Sequence, residues 1–437
     1  MKYTISLFTA ISLSVAVYAQ ERDTLLFKQM QQNAKDIKEL QSNVVKMGSG
    51  TVSFSGYAHF QWVYSPELRV WPEGFISTYG DIFTPEMNNR LQVRRSRIKM
   101  TYRNGPVTAV IQPEFSEKNV HAKDIFVNIL SNNEMYGLRM GLFDRPFGYE
   151  IAYTSPNREA AERSRTCNAV FPYYRDVGIQ IQLKGPKGSV LNQFSLDAGI
   201  FNGNGISVET DKYKDFIGRL AWLKTFDNTE LGVAYSLCSG TIYGGTMADK
   251  WHNSYEYRKG EGYRLLFTDK VHRKLYHGIS AKVTHNWQIG RTLFVTEWLV
   301  GEQPSSQARF GSTIGSGFNG LPNIYLRNFV GGYVYWVQNI ANTKHSVLFK
   351  YDYLDPNIRV SGNEIGKAIA AYFPATGADI AYTAFSIGYV YDFSHYLRFL
   401  VQYDFTNHEE SANLPGYRPE DKFNENIFTF RIQIKYP

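Results

Sequence analysis

The sequence has few cysteines and no long hydrophobic run. Its 437 residues include only two cysteines, Cys167 and Cys238, whereas exported proteins stabilised by disulfides contain more. Nothing in the sequence places the two together, so we expect free thiols or an incidental pair. Beyond the N-terminus, no window reaches the about 18 consecutive apolar residues that a spanning helix requires. These absences exclude a disulfide scaffold and a helical membrane protein.

The first 19 residues have the pattern of a secretory signal peptide. Lys2 provides a positive start, residues 5–17 are apolar apart from small polar residues, and Val17-Tyr18-Ala19 is a small-x-small cleavage site. The apolar stretch is too short for a transmembrane anchor, because hydrocarbon is about 30 Å thick. No cysteine follows the cleavage site, which excludes a lipid anchor there. We therefore predict an exported chain with its signal peptide at residues 1–19.

A short helix is predicted between the signal peptide and the rest of the chain, in a segment covering residues 20–50. Its seam residues follow one another at spacings of four and three, which is a heptad pattern. They are Leu26, Met30, Asn33, Ile37, Leu40, Val44 and Met47. Gly48 is expected to end the helix, with Ser49 and Gly50 as a hinge. The pattern predicts a small parallel coiled-coil bundle; an ordinary amphipathic helix lying on the rest of the molecule is the alternative.

The remainder, residues 51–437, reads as strands in which apolar and polar residues alternate. In 176–184, for example, Val177, Ile179, Ile181 and Leu183 share one face. About ten alternating residues match a tilted strand that crosses a bilayer. The count is 16 strands, an even number, as bacterial single-chain barrels require. They are 51–64, 90–103, 106–115, 120–130, 135–143, 176–184, 189–201, 214–224, 229–238, 276–287, 291–302, 325–338, 344–354, 378–391, 396–406 and 425–436.

The connections between these strands are of two alternating kinds. Tight turns with turn chemistry occur at Asn104-Gly105, 185–188, Phe226-Asp227-Asn228, Gln288-Ile289-Gly290 and Asp392-Phe393-Ser394. They alternate with stretches of about 12 to 37 residues, except for a short one near residue 116. A soluble sandwich or propeller has no reason to alternate in this way. We therefore predict an all-β fold, a 16-stranded antiparallel transmembrane β-barrel in the bacterial outer membrane.

Several segments resemble the phosphate-selective porin O and P family, over the chain from about residue 50 to the end. They are Val93-Arg94-Arg95-Ser96-Arg97-Ile98, residues 139–150 (RMGLFDRPFGYE), Tyr174-Arg175-Asp176-Val177-Gly178-Ile179, residues 327–334 (RNFVGGYV), Lys350-Tyr351-Asp352 and Asp355-Pro356-Asn357. The resemblance implies a homotrimeric 16-stranded porin, with a third long loop folded into the barrel and basic residues that draw anions such as phosphate through the pore. One departure is the C-terminus, which ends Tyr436-Pro437 rather than in the terminal Phe of many barrels.

A column of basic residues is predicted to line the barrel interior. In the second strand, Ile98, Met100 and Tyr102 should face lipid, because a charge on that face costs about 2–4 kcal/mol at mid-membrane. The same alternation directs eight basic residues inward, where they would favour anions. They are Arg95, Arg97, Lys99, Arg103, Arg139, Lys350, Arg398 and Arg431. The alternative is that inward carboxylates neutralise them, with Asp124, Asp197, Asp352 and Asp404 as candidates.

The long connection 144–175 is the predicted constriction loop, since a structureless stretch of about 30 residues is usually functional. A short helix is predicted over 158–165, after Ser155-Pro156. The loop carries Arg145, Arg158, Arg163, Arg165 and Arg175 against Asp144, Glu150, Glu159 and Glu162. This near balance of signs favours a transverse field that orients dipolar solutes, as in general porins, over a strong anion filter.

The net charge of +7 is mild for a chain of this length. It favours small anions or acidic lipopolysaccharide and is no evidence for nucleic acid. Nine histidines are scattered, with neither a GxSxG elbow nor an HExxH pair, so we predict no enzyme, no cofactor and no metal. A sugar-binding channel or a partner in a surface complex remains an alternative, because aromatic residues of the loops could stack on sugars. They are Trp71, Tyr243, Trp251, Tyr255, Tyr257 and Tyr263.

Overall fold

The computed structural model describes most of the chain beyond the predicted signal peptide and helix. The described residues are 44–66, 87–172, 174–209, 212–243, 253–266, 271–307, 310–311, 323–367, 372–411, 413–414 and 426–436. The predicted signal peptide, residues 20–43 of the predicted helical segment, Trp71 and Trp251 lie outside them, as does the side chain of Tyr243. None of the helices in the described ranges has the length and apolar character needed to cross a membrane.

Sixteen antiparallel strands form one closed barrel, which confirms the predicted 16-stranded antiparallel β-barrel. Strand β10 pairs with β13 across an intervening hairpin, and β19 pairs with β2 to close the ring. The barrel strands are β2 (Gly50–Tyr64), β3 (Asn89–Asn104), β4 (Val107–Phe115), β5 (Val120–Leu130), β6 (Tyr136–Asp144), β7 (Arg175–Lys184), β8 (Phe194–Phe201), β9 (Asp215–Phe226), β10 (Thr229–Tyr243), β13 (Val271–Trp287), β14 (Gly290–Ser305), β15 (Asn323–Asn339), β16 (His345–Asp355), β17 (Tyr382–Asp392), β18 (Leu397–His408) and β19 (Ile427–Tyr436). Strands β1 (Val44–Met47), β11 (Asn253–Arg258) and β12 (Gly262–Leu266) lie outside the ring.

Two strands begin later than the alternation predicts. The strand expected from 189 begins at Phe194, because Val190–Gln193 forms a 3-10 turn. The strand expected from 378 begins at Tyr382, because Gly377–Asp379 forms another. Such short helical turns satisfy their own backbone groups and so delay the start of the ladder.

The end of the predicted helical segment is wrong, because Val44–Met47 is a strand rather than a helix. It forms a hairpin with β2, in which Val44 pairs with Ser53 and Met47 with Gly50, and Gly48 adopts a positive φ of 62°. The partner strand β19 ends where Tyr436 pairs with Gly56, which leaves residues 50–53 with an open edge. Strand β1 covers that edge, and unpaired edges are unfavourable. The heptad seam therefore cannot continue through Val44 and Met47.

The outer wall carries apolar side chains, as the alternation predicts. Val177, Ile179 and Ile181 of β7 are exposed on the outside, whereas Gln180 between them is buried inside. Exposed apolar rows of this kind recur on β5 and β6. Because charges on such a face are costly in hydrocarbon, this arrangement fits a barrel with a lipid-facing exterior.

On the long-loop side, aromatic residues pack between loops. Tyr255, Tyr257 and Tyr263 of the β11–β12 hairpin are 3%, 4% and 1% exposed. Beneath them the guanidinium of Arg327 pairs with Asp379 at 2.8 Å, and both side chains are fully buried. These three rings therefore serve packing between the loops and do not present their faces to solvent.

Candidate pore constriction

The third loop, residues 145–174, folds into the barrel and contacts its far wall, as predicted. The backbone N–H of Gly148 donates to Ser236 of β10 at 2.9 Å, and that of Glu150 donates to Glu297 of β14 at 2.9 Å. Gly148 has a φ of +65°, and a Cβ there would overlap the Glu297 carboxylate. A side chain at this position would therefore be strained and would force the Glu297 carboxylate to move.

An apolar core holds one half of the loop inside the barrel. Helix α1 (Arg165–Val170) and the adjacent Phe147, Ile151 and Phe171 pack against wall residues that include Tyr276 and Phe329. Burial of each large apolar side chain contributes about 1.5–3 kcal/mol. Cys167 and Cys238 belong to the same core and are both free. A substantial part of the interior is therefore filled by protein.

The helix lies later in the loop than the predicted 158–165. Ser164 caps it by accepting a hydrogen bond from the Cys167 N–H at 3.1 Å, so the helix begins at Arg165. The preceding backbone is bound to the wall instead: the N–H groups of Glu159 and Ala160 donate to the Tyr335 hydroxyl. A backbone whose donors are taken by the wall is not available for helical bonds.

A cluster of charges holds the other half of the loop. Glu162 accepts from Arg94 at 2.9 Å, Arg95 at 3.1 Å and Arg431 at 2.7 Å; we call these four residues the Glu162 cluster. Burial alone would raise the pKa of the Glu162 carboxyl, but the three guanidinium groups hold it well below its usual range. The loop is therefore ionically fixed to β3 and β19.

Arg94 was not predicted to face inward, because strict alternation places it on the lipid side. The β2–β3 register shifts between His59 and Phe60, so Arg94 is an extra residue with no partner, and both it and Arg95 reach Glu162. A shift of this kind is a β-bulge, which redirects a side chain. Two adjacent basic residues inside an alternating strand were the available sequence signal.

A second bulge redirects Lys123. The β4–β5 register shifts between Gln112 and Pro113, so that Lys123 stands opposite no residue of the β4 ladder. Lys123 pairs with Glu114 at 3.2 Å, while the next residue, Asp124, pairs with Arg175 at 2.9 Å. Both side chains are buried inside the barrel.

The predicted basic column is partly neutralised. Arg97 pairs with Glu114 at 2.6 Å, Lys350 with Asp352 at 3.5 Å, and Arg398 with Asp392 at 2.6 Å. Arg95 and Arg431 belong to the Glu162 cluster, and Arg103 is exposed at the short-turn end of β3. Of the predicted partners, Asp124 and Asp352 accept ion pairs, whereas Asp197 accepts a hydrogen bond from Gln180.

Lys99 and Arg139 differ from the paired members of the column. Neither forms an ion pair with a described residue. The Arg139 guanidinium lies 4.8 Å from the Phe126 ring centre and 5.4 Å from that of Phe143, with Asn128 as a hydrogen-bond partner at 3.4 Å. Their charges are therefore available to a solute.

Eight of the nine predicted loop charges are buried, all but Asp144, and each is engaged within the protein, although Arg158 is bonded only through its Nε atom, to the Ala160 carbonyl at 3.3 Å. Arg145 pairs with Asp176 at 3.0 Å, and Arg175 with Asp124 and Asp144. The acidic residues accept hydrogen bonds: Glu150 from Ser164, and Glu159 from Tyr153 and Tyr335. Of the other arginines, Arg163 donates to the Glu150 carbonyl, and Arg165 is hydrogen-bonded to His408. Most charges of this loop are therefore used in contacts within the protein, while Asp144, Arg163 and Arg175 also line the cavity described next; the transverse field stays a prediction.

A basic cavity remains between the loop and the wall formed by β2–β6 and β19. Its volume is about 480 Å³, and it reaches Tyr396 of a short turn. Its basic lining residues are Arg97, Lys99, Arg139, Arg163, Arg175 and Lys435, against the acidic Asp124 and Asp144. Lys99, Arg139, Arg163 and Lys435 make no ion pair with the described residues. The cavity therefore has a local excess of positive charge.

The fold is that of a porin-like barrel with an inward third loop. Solved structures with this fold include OprB of Pseudomonas putida, with a TM-score of 0.55 and 9% identity over 88% of this chain and 94% of that one. The outer membrane channel DcaP of Acinetobacter baumannii has a TM-score of 0.53 and 10% identity over 90% of this chain and 99% of that one. For OmpF of Salmonella typhi the TM-score is 0.51, with 12% identity over 90% of this chain and 100% of that one. No protein-family model and no curated protein matches the sequence.

Proposed function

We propose that the protein is a trimeric outer-membrane porin through which small hydrophilic solutes diffuse passively, with a preference for anions. The closed barrel with its apolar exterior and the loop folded inside it support a membrane channel. DcaP is described as an outer membrane channel, which is in keeping with this proposal. The phosphate-selective family resemblance makes phosphate one candidate among the small anions.

The observation that carries the anion preference is the set of cations without a carboxylate partner in the basic cavity. Lys99, Arg139, Arg163 and Lys435 line a space large enough for a hydrated ion without a carboxylate of the described residues in ion-pair contact. Unpaired cations lining a narrow pore attract anions and repel cations. Residues that are already paired, such as Arg97 and Arg175, contribute less.

Reversal potentials in a salt gradient across a planar bilayer test this function. In a gradient of potassium chloride, we expect the sign of the reversal potential that corresponds to anion preference. If phosphate binds in the cavity, the chloride current should fall when phosphate is added. Cation preference would contradict the proposal. Anion preference without any effect of phosphate would retain the porin and exclude phosphate as a bound solute.

The sugar-binding alternative has lost part of its support. Three of the six aromatic residues on which it depended, Tyr255, Tyr257 and Tyr263, are buried between loops. Buried rings cannot stack on a sugar without opening that packing.

Deletion of residues 20–43 tests whether the N-terminal segment sets the oligomer. This deletion retains β1, so the open edge of β2 stays covered. If the heptad seam forms a bundle, the trimer should dissociate at a lower detergent concentration or temperature than that of the full chain. The measurement is the mass of the detergent complex by light scattering, and an unchanged trimer stability would exclude the bundle as the determinant.

A further inference from the structure

Two buried side chains with unpartnered polar atoms lie near each other beneath the third loop: the Arg158 guanidinium, whose Nε atom alone is bonded, to the Ala160 carbonyl, and the His59 ring. The η nitrogens of Arg158 and both ring nitrogens of His59 have no hydrogen-bond partner among the described residues. Arg158 is 5% exposed and His59 is fully buried. Buried groups of this kind are rare, because each unsatisfied donor costs about 1–3 kcal/mol, and more when charged.

The backbone of the loop encloses this place. On the wall, His59 pairs with Gln433 on one side and with Arg95 on the other. Above it, Ser155 accepts from Arg95 at 2.9 Å and the Pro156 carbonyl accepts from Gln433 at 2.7 Å. Residues 155–162 thus cross β19, β2 and β3 directly over His59.

The charges at this place do not balance. Five guanidinium groups, those of Arg94, Arg95, Arg158, Arg163 and Arg431, lie near only two carboxylates, those of Glu162 and Glu150. Burial, together with the charges of Arg163 and Arg95, lowers the pKa of Arg158 to about 10. An uncompensated buried charge costs several kcal/mol.

Further donors converge on the same wall. The Nε2 atom of Gln61, the Nε atom of Arg95 and the hydroxyl of Thr429 also have no partner among the described residues. Gln61 pairs in register with Arg431, and Thr429 lies two residues before Arg431 on β19. Donors therefore greatly exceed acceptors here.

We propose that the third loop is fastened by a resident monatomic anion of the chloride type, held between Arg158 and His59. We favour a monatomic ion because the loop backbone at Ser155 and Pro156 lies directly over these unpartnered atoms. The ion would accept from the Arg158 guanidinium and from an imidazole N–H of His59. This site is separate from the basic cavity, so it does not depend on the conduction of anions.

Unfolding of the full-length protein in detergent tests the proposal. The measurement is the midpoint of the heat-induced shift from folded to unfolded barrel, in sodium chloride and in sodium gluconate of equal ionic strength. We expect a higher midpoint in chloride, rising with the logarithm of its concentration, because a ligand bound only by the folded state stabilises it. Gluconate is the comparison because it is a much larger anion than chloride.

Variants separate a bound ion from a general salt effect. Arg158→Gln should lose the difference between the two salts, whereas Arg258→Gln, at an exposed arginine of the β11–β12 hairpin, should keep it. If Arg158→Gln does not fold, Arg158→Lys, which keeps the charge, should fold with a reduced difference. Equal midpoints in both salts for the unsubstituted protein would overturn the proposal, and water in the site would produce that result.

Crystals grown with bromide locate the ion directly. An anomalous peak beside Arg158 and His59, lost in Arg158→Gln, supports the proposal. A peak without any chloride dependence of the midpoint means an adventitious ion only and overturns the fastening role. Since reversal potentials are measured separately, a barrel without ion selectivity would contradict the proposed function and leave this inference standing.

Discussion

Replacement of Lys99 and Arg139 together by glutamine is expected to lower the anion-to-cation permeability ratio by roughly tenfold. At about 7 Å through water, each charge changes the energy of a univalent ion by about 0.6 kcal/mol. Removal of both charges weakens the attraction of anions and the repulsion of cations, while screening by salt reduces the sum. The measurement is the reversal potential in a salt gradient. The single-channel conductance should stay within about twofold of that of the unsubstituted protein.

The matched control for this pair is Arg258→Gln with Lys259→Gln, two exposed residues at the β11–β12 hairpin. It removes the same charges far from the basic cavity and should leave the reversal potential close to that of the unsubstituted protein. If Lys99→Gln/Arg139→Gln and the control have the same reversal potential, the basic cavity does not select ions.

The second large effect is expected from Glu162→Gln. The substitution keeps the shape of the side chain but leaves Arg94, Arg95 and Arg431 without their carboxylate, and loss of one partner from a buried pair costs about 3–5 kcal/mol. The other half of the loop is still held by its apolar core, so we expect residues 155–163 to detach while the barrel persists. Single-channel conductance should rise, with increased current noise, and the folded barrel should unfold at a lower temperature.

Glu117→Gln is the control for this prediction. Glu117 pairs with Arg90 near the rim of the barrel, and its side chain is 31% exposed. An exposed ion pair contributes about 0–1 kcal/mol, so this variant should retain normal conductance and stability. A Glu162→Gln protein with the same conductance and unfolding temperature as Glu117→Gln would show that the Glu162 cluster does not hold the loop.

The strand count was predictable because it depends on local patterns. Alternation in segments such as 176–184 follows from a lipid-facing exterior, which imposes an energetic cost on each misplaced charge. The tight turns at Asn104-Gly105 and Phe393-Ser394 are likewise encoded by neighbouring residues. The hairpin of β1 was missed because its cause, the open edge left beyond Tyr436, lies at the other end of the chain.

The site was predictable only in outline. The inward position of Arg95, Arg97 and Lys99 followed from alternation, but Arg94 and Lys123 depend on bulges that only the register with a partner strand defines. Pairing was equally inaccessible: Glu162 and Arg431 are separated by 269 residues along the chain and lie 2.7 Å apart. Sequence periodicity carries no information on such distances.

The sequence by itself therefore determined the barrel, its strands and the face on which most charges lie, because these follow from an alternation of period two and from the cost of charge in lipid. The tertiary structure alone decided which charges remain available. It neutralises Arg97, Arg175 and Arg431 through partners distant in sequence and leaves Lys99 and Arg139 unpaired among the described residues. The physical reason is that ion pairing depends on distances of a few ångströms, which arise only when the ring closes and the third loop enters it.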